Sequence, residues 1–358
     1  MPPELLQATS KKMAPVAAPP TRPARRAKIT SEETRCAHAD VIGDEALRGK
    51  LLGSGPILHK IDQLVAEICD VISRGPVVTV AFDAFKLLRP VFHGDFIRLE
   101  GRAISIGNSS MVCQVSVYRQ DFPTGKFQLT HNAVATFVAL DAGGQASGGL
   151  PTLYDPLRPA ECEQLQALAR KRKGVSAHWT AAQEEIDRLQ RVTPSMVPKH
   201  KYEGGRKAIG IHTTVVETRH TFLFKHANLQ RNVFGGVLLE WMLPIQLHHL
   251  ISIRARVCRV QKYSVEVEIA VYRYTGDADS LELSHTGYFD VLNIEEDNRK
   301  REIHVDVTAA EDDLDGLRAL LKAHKRQLFE KEDAELLEMA PIPLSAPTSF
   351  VPSLTARI

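Results

Sequence analysis

Lys50-Leu51-Leu52-Gly53-Ser54-Gly55-Pro56-Ile57-Leu58-His59-Lys60-Ile61-Asp62 and Arg231-Asn232-Val233-Phe234-Gly235-Gly236-Val237-Leu238-Leu239-Glu240-Trp241-Met242-Leu243 open an apolar helix in the same way. Laid on each other by their glycines, Asp62 falls opposite Leu243, and Asn232 falls opposite Leu51. One copy keeps a carboxylate and the other an amide. A paired fold that joins the two helices assembles one polar pair and leaves the opposite position apolar.

The repeat extends beyond these helices. Glu33-Thr34-Arg35 precedes the first and Glu217-Thr218-Arg219 the second. Val117-Tyr118-Arg119 ends an alternating strand, and Val271-Tyr272-Arg273 ends its echo. Residues 133–140 correspond to 286–294. Similarity at so long a period means duplicated domains, because solenoid repeats run only about 20–50 residues. In the first unit, β-branched and aromatic runs at 77–85, 95–106, 111–119 and 127–140 predict strands, with Gly107-Asn108 as a tight turn. A helix followed by such strands buries itself against an antiparallel sheet, so the expected class is α+β, twice.

The expected division is an arm at 1–28, a first unit at 29–149, a charged helical linker at 150–210, a second unit at 211–308 and a C-terminal region at 309–358. The linker predicts helices over 161–173 and 179–192, with Lys171-Arg172-Lys173 on a solvated face. A further exposed helix is expected over 312–335, and a disordered tail from Pro341.

Composition excludes several classes. With 44% hydrophobic and 25% charged residues, the 358-residue chain is ordinary for a globular protein of about two domains. A net charge of +2 gives no reason to expect nucleic acid. No apolar run approaches the ~18 residues of a membrane span. Cys36, Cys69, Cys113, Cys162 and Cys258 are scattered, which predicts reduced thiols in an intracellular compartment and no metal site. Adjacent His248 and His249 point to opposite faces of a strand and are no metal pair either. The arm carries six basic residues, Lys11, Lys12, Arg22, Arg25, Arg26 and Lys28, against one acid, Glu4. It reads as a mitochondrial transit peptide or a plain disordered arm, the latter leaving a cytoplasmic protein.

A helix N-terminus exposes unpaired N–H groups and a partial positive charge. Glycine there admits a close approach. Gly53, Ser54 and Gly55, like Gly235 and Gly236 after Phe234, therefore suit an oxyanion. Asp62 adds a carboxylate at the edge of the stripe Ile57, Leu58, Ile61, Leu64, Val65, Ile68 and Ile72. Sheltered carboxylates serve as general bases, although a solvated helix acid has the same spacing. His59 reads as a surface residue.

Asn232-Val233-Phe234-Gly235-Gly236 before an apolar helix resembles the signature of the hotdog-fold acyl-CoA thioesterases. There, Gly-Asn/Asp-x-Phe-Gly-Gly opens the central helix, and an acid often follows the Phe by nine residues. Asp62 holds that place in the first unit. Arg48-Gly49-Lys50-Leu51, the segment 94–102 and Ile106-Gly107-Asn108-Ser109-Ser110-Met111 resemble the mitochondrial tandem-hotdog type in particular. The resemblance spans residues 29–296. It implies two hotdog domains forming an internal pseudo-dimer, further assembled as a homo-oligomer, a trimer of double hotdogs. It implies hydrolysis of fatty acyl-CoA to fatty acid and CoA without a cofactor. Asp62 is the implied base or nucleophile, and Asn232 orients water or substrate across the seam. Arg102, Ser109, Ser110 and Lys126 are candidates for the CoA diphosphate, which wants charge-assisted donors.

One departure stands out. Pro244 follows Leu243 at once, and the next strand begins near Leu250. Proline argues against the helix continuing. Aligning the flanking strands leaves the second unit short by about a half-helix and one strand. That shortening favours an alternative reading, a catalytically weak acyl-CoA-binding or regulatory protein. A hotdog hydratase is a third, with only His59 to enlist.

Overall fold

The computed structural model describes residues 27–198, 206–221, 250–274, 281–295, 299–336 and 339–345. Residues 1–26 of the expected arm and the segment 222–249, with Asn232, Phe234, Gly235, Gly236 and Leu243, lie outside the described residues.

The first unit is a five-stranded antiparallel sheet wrapped on one helix. β1 is Lys28–Thr30, β2 Cys36–Ile42, α1 Ser54–Ser73, β3 Val77–Leu87, β4 Asp95–Ile106, β5 Ser110–Asp121, β6 Lys126–Ala139 and β7 Thr152–Tyr154. The sheet order is β2-β4-β5-β6-β3. β1 and β7 form a separate parallel pair, so this unit reaches Tyr154, past the expected boundary at 149. The Gly107-Asn108 turn closes β4 onto β5, with Gly107 N–H donating to Ser110 O at 2.7 Å.

α1 forms for the reason its periodicity gives. Ile57, Leu58, Ile61, Leu64, Val65, Ile68, Cys69 and Ile72 share one face, and all are buried. They lie on Ile97, Leu99, Val115, Val117, Ala133 and Ala135 of the sheet. Gly101 lets the helix come this close: a Cβ there would stand 2.7 Å from Ile68 Cδ1 and 2.9 Å from Leu64 Cδ2. Arg74 ends the helix in the left-handed region at φ 50°, its N–H donating to Asp70 O.

The two helices expected in the linker are one. α2, Pro159–Arg188, runs through Gly174 without a break. Arg172 is a correction to the solvated cluster: its neighbours Lys171 and Lys173 are exposed, but its own side chain is buried. Helical geometry puts consecutive residues about 100° apart, so a run of three charges cannot share one face.

The second unit repeats the plan with β8 at Lys207–Gly210, β9 Val216–Thr221, β10 Leu250–Val260, β11 Ser264–Tyr274, β12 Leu281–Leu292, β13 Val305–Thr308 and α3 Leu314–Leu336. Its sheet order is β12-β11-β10-β9, four strands among the described residues. β8 and β13 pair in parallel as β1 and β7 do, so the second unit begins before residue 211. Register irregularities recur as well. They fall at Ala103/Ser105 and Val257/Arg259, then at Val117/Tyr118 and Val271/Tyr272.

One sequence correspondence needs correcting. Glu33 and Thr34 lie in a 3-10 turn, whereas Glu217, Thr218 and Arg219 lie inside β9. The true partner of Thr34 is Thr214. Thr34 Oγ1 accepts from Ala103 N–H at 3.0 Å, and Thr214 Oγ1 accepts from Val257 N–H at 3.0 Å. The first pair is 69 residues apart and the second 43, which puts the shortening of the second unit inside this interval.

The tail is the last correction. Pro341 does not begin a disordered stretch: residues 339–345 lie on the first sheet, with Met339 and Ile342 buried. The remainder, 346–358, is outside the described residues.

Candidate active site

α1 carries two of the candidate groups, the glycine-led start and Asp62. Gly53 is the N-cap, extended at ψ 161°, and the helix starts at Ser54. Gly53 and Ser54 are exposed, so the first N–H groups of the helix face solvent. Asp62 is 1% exposed, not the solvated helix acid its spacing also allowed. Its Oδ1 accepts a 2.7 Å hydrogen bond from Thr79 Oγ1 of β3. A buried carboxylate needs such a donor, because losing water is costly for an acceptor left alone.

Thr79 is the residue the sequence reading missed. It follows Asp62 by 17 residues, and only the return of β3 along α1 brings them together. Its sole signal was a hydroxyl in an apolar strand start, Val77-Val78-Thr79-Val80.

The thiols nearby do not compete as nucleophiles. Cys69 lies two turns beyond Asp62, 3.8 Å from Cys113 Sγ. Burial, the contact with Cys113 and the charge of Asp62 push the Cys69 thiol well above its usual range. Burial, with Glu67 and Cys113 adding, pushes Cys36 to about 11. Both stay protonated, and a protonated thiol is a poor nucleophile.

A geometric constraint follows from α1 alone. At 1.5 Å per residue, Asp62 sits about 12 Å along the axis from the first N–H groups at Ser54. Reacting groups must meet within about 3–3.5 Å. One acyl carbonyl cannot touch both Asp62 and the start of α1. Gly235 and Gly236, the other glycines expected at a helix start, lie outside the described residues.

The four CoA candidates do not converge. Arg102 lies between Gly101 and Ala103, which face α1, and so points to the other side of the sheet. There it is buried and pairs with Glu161 of α2 at 2.9 Å. Ser109 lies in the β4–β5 turn and Ser110 opens β5. Lys126 is exposed opposite Asp121 in the β5–β6 hairpin. The two turns cap opposite ends of β5, about 35 Å apart at 3.3 Å per residue. A single diphosphate cannot use them together within one unit. His59 is half-buried on α1, not the surface residue expected.

A second pair was legible but unread. His131 sits opposite Val117 in the register, and His285 opposite Val271. Each ring contacts the hydroxyl before it, His131 Nδ1 to Thr130 Oγ1 at 3.0 Å and His285 Nδ1 to Ser284 Oγ at 2.7 Å. Leu129-Thr130-His131 and Leu283-Ser284-His285 are the echo that would have revealed them. Burial lowers both pKa values, that of His131 to about 4.

No helix among the described residues is long and apolar enough to cross a membrane. Among the described residues, no His/Cys/Asp/Glu group has the arrangement of a metal site.

The thioesterase superfamily pattern matches residues 55–125, from the start of α1 into the β5–β6 hairpin. An uncharacterized acyl-CoA thioester hydrolase of Buchnera aphidicola subsp. Baizongia pistaciae is 32% identical over 111 residues, 30% of this chain and 82% of that protein. One from Haemophilus influenzae is 31% identical over 106 residues, 29% of this chain and 68% of its own length. The acetyl-coenzyme A thioesterase of Mus musculus is 25% identical over 247 residues. That match takes in 68% of this chain but 41% of the mouse protein. Among solved structures, an acyl-CoA hydrolase of Staphylococcus aureus, in complex with butyryl coenzyme A, coenzyme A and coenzyme A disulfide, aligns with a TM-score of 0.39 at 22% identity, covering 45% of this chain and 97% of that one. With a helix-wrapped antiparallel sheet in the matched segment and relatives of this similarity, the chain belongs to the thioesterase superfamily of hotdog-fold acyl-CoA thioester hydrolases.

Proposed function

We propose that this protein hydrolyses fatty acyl-CoA to free fatty acid and CoA at a site centred on Asp62. The observation that carries this reading is a buried carboxylate on the sheltered face of the glycine-led helix, held in one orientation by Thr79. As general base, Asp62 takes a proton from water while the water oxygen attacks the thioester carbonyl. Collapse of the tetrahedral intermediate then expels the CoA thiolate, which is reprotonated. As nucleophile, its carboxylate would instead attack the carbonyl and expel the CoA thiolate, which is protonated, leaving an acyl anhydride that water opens to fatty acid and free Asp62. In either route Asn232 orients water or substrate, and Gly235 and Gly236 supply the N–H groups for the oxyanion.

The test is CoA release followed with a thiol reagent. Asp62→Ala lowers turnover by about 10²–10⁴-fold, the usual cost of losing a general base. Asn232→Ala acts in the same direction. Leu243→Asp creates no second site, because Leu51 faces it. Normal turnover by folded Asp62→Ala protein sinks the assignment.

A second reading has its own support. The 43-residue interval of the second unit, against 69 in the first, favours a catalytically weak acyl-CoA-binding protein. Tight acyl-CoA binding without CoA release decides for it. The basic arm supports a mitochondrial address, checked by imaging a tagged full-length chain against one lacking the arm. Further assembly into a trimer of double hotdogs is supported by β3, the last strand of its sheet, where Val80 and Leu87 are half-exposed. Light scattering that finds only monomer at micromolar concentration removes that part.

A further inference from the structure

The face of the first sheet that points away from α1 carries polar side chains that are nonetheless buried. Glu100, Gln114 and Ser116 are 0% exposed there. Polar groups on an outward face ordinarily meet water, and burying them without partners is costly. What buries them is residues 339–345, Met-Ala-Pro-Ile-Pro-Leu-Ser, which belong to the far end of the chain.

The sheet reads this segment by its main chain. Asn132 Nδ2 donates to Met339 O at 3.3 Å, and Gln114 Nε2 donates to Ala340 O at 2.8 Å. Ile342 N–H donates to Ser116 Oγ at 2.9 Å, and the Tyr118 hydroxyl donates to Ile342 O. Ser345 N–H donates to Glu100 Oε1 at 3.0 Å, and Arg98 Nη2 donates to Ser345 O at 2.9 Å. Thus β4, β5 and β6 each hold the segment by side chains.

The sequence of the segment fits that recognition. Pro341 and Pro343 have no N–H, so they bring no donor that the sheet must satisfy. Their fixed φ keeps the free segment extended, which reduces the ordering entropy lost on docking. Both prolines are exposed, while Ile342 between them is 1% exposed and acts as the anchor. Met339 enters a second apolar patch with Ile104, Val134 and Ala169 of α2.

We propose that this outer face is a binding site for an extended peptide with proline on either side of an aliphatic anchor. Residues 339–345 occupy it as a tethered ligand, and the site fastens the end of the second unit onto the first. It is independent of the thioesterase site, since the polar residues that hold the segment lie on the opposite face of the sheet from α1.

The experiment uses full-length protein. Ile342→Asp removes the anchor and frees the groove in place. A fluorescent peptide with the wild-type sequence of residues 339–345 is titrated into this variant and into the wild-type chain, with anisotropy as readout. The variant binds the peptide saturably and at least tenfold more tightly than the wild type, whose groove is filled. Adding Gln114→Ala to the variant weakens binding by about three- to tenfold, the scale of one hydrogen bond. Absence of binding by the folded variant, or equal binding by both chains, overturns the proposal. Hydrogen exchange on the wild type gives a readout that needs no variant. The amides of Ile342 and Ser345 are protected if the segment is docked, and exchange at the free-chain rate overturns the site.

Discussion

The two units use the same devices to set strand register but differ in the length of chain between those devices. Each begins with a parallel strand pair and a threonine-ended 3-10 turn, and each kinks its sheet at equivalent places. In the first, α1 and β3 then fill the interval before the long strands. In the second, the interval is 26 residues shorter, 43 against 69, and the described sheet ends on β12. Register is set by local backbone devices, and these recur whatever the length of the interval between them.

The core residues give the largest contrast. Ile68 is fully buried between α1 and the first sheet, so Ile68→Ala costs about 2–5 kcal/mol. Ile269, which shares with Val267 and Val271 the face equivalent to that of Val115, is only half-buried. There, Ile269→Ala costs about 1–2 kcal/mol, in proportion to the smaller area withdrawn from water. Urea unfolding checks both. Equal losses mean that the second core is as closed as the first.

Acid gives the next contrast, through the twin histidines. Burial holds His131 neutral with a pKa near 4, against about 6.5 in the unfolded chain. Protons therefore bind the unfolded state first. The stabilisation is complete above pH 6.5 and is lost as pH falls from there to about 4, by about 3 kcal/mol. His285 shifts in the same direction with less burial and loses less. His131→Gln flattens the dependence of the urea midpoint on pH in that window more than His285→Gln does. The reverse order would place the drier core in the second unit.

The smallest contrast is the shared threonine. Thr34 is buried and Thr214 only half-buried. Thr34→Ala strands the buried Ala103 N–H and costs about 1–3 kcal/mol, whereas Thr214→Ala, where water can substitute, costs about 0.5–1.5 kcal/mol. Thermal melts of the two variants measure this directly.

Much of the first unit was legible because its signals are local. α1 has a clean apolar stripe, and β4 matches its expected bounds at Asp95–Ile106. The Val-Tyr-Arg echo marked a real register irregularity in both sheets. The Glu-Thr-Arg echo misled, since three matching letters occupied a turn in one unit and a strand in the other. The placement of Arg102 was not legible, because composition cannot say which face of a strand a residue takes relative to a helix elsewhere.

The sequence by itself determined the duplication, the glycine-led helix, the position of Asp62 on it and the shortening of the second unit. These are properties of periodicity and spacing, which a linear chain carries openly. Tertiary structure alone decided that Asp62 is buried and held by Thr79. It also put Arg102 behind the sheet against Glu161, and laid a proline-spaced tail across a face more than 200 residues upstream. Each of those is a contact between residues on different elements, fixed by how the sheet curls round α1 and where the chain returns. No pattern within one element encodes it.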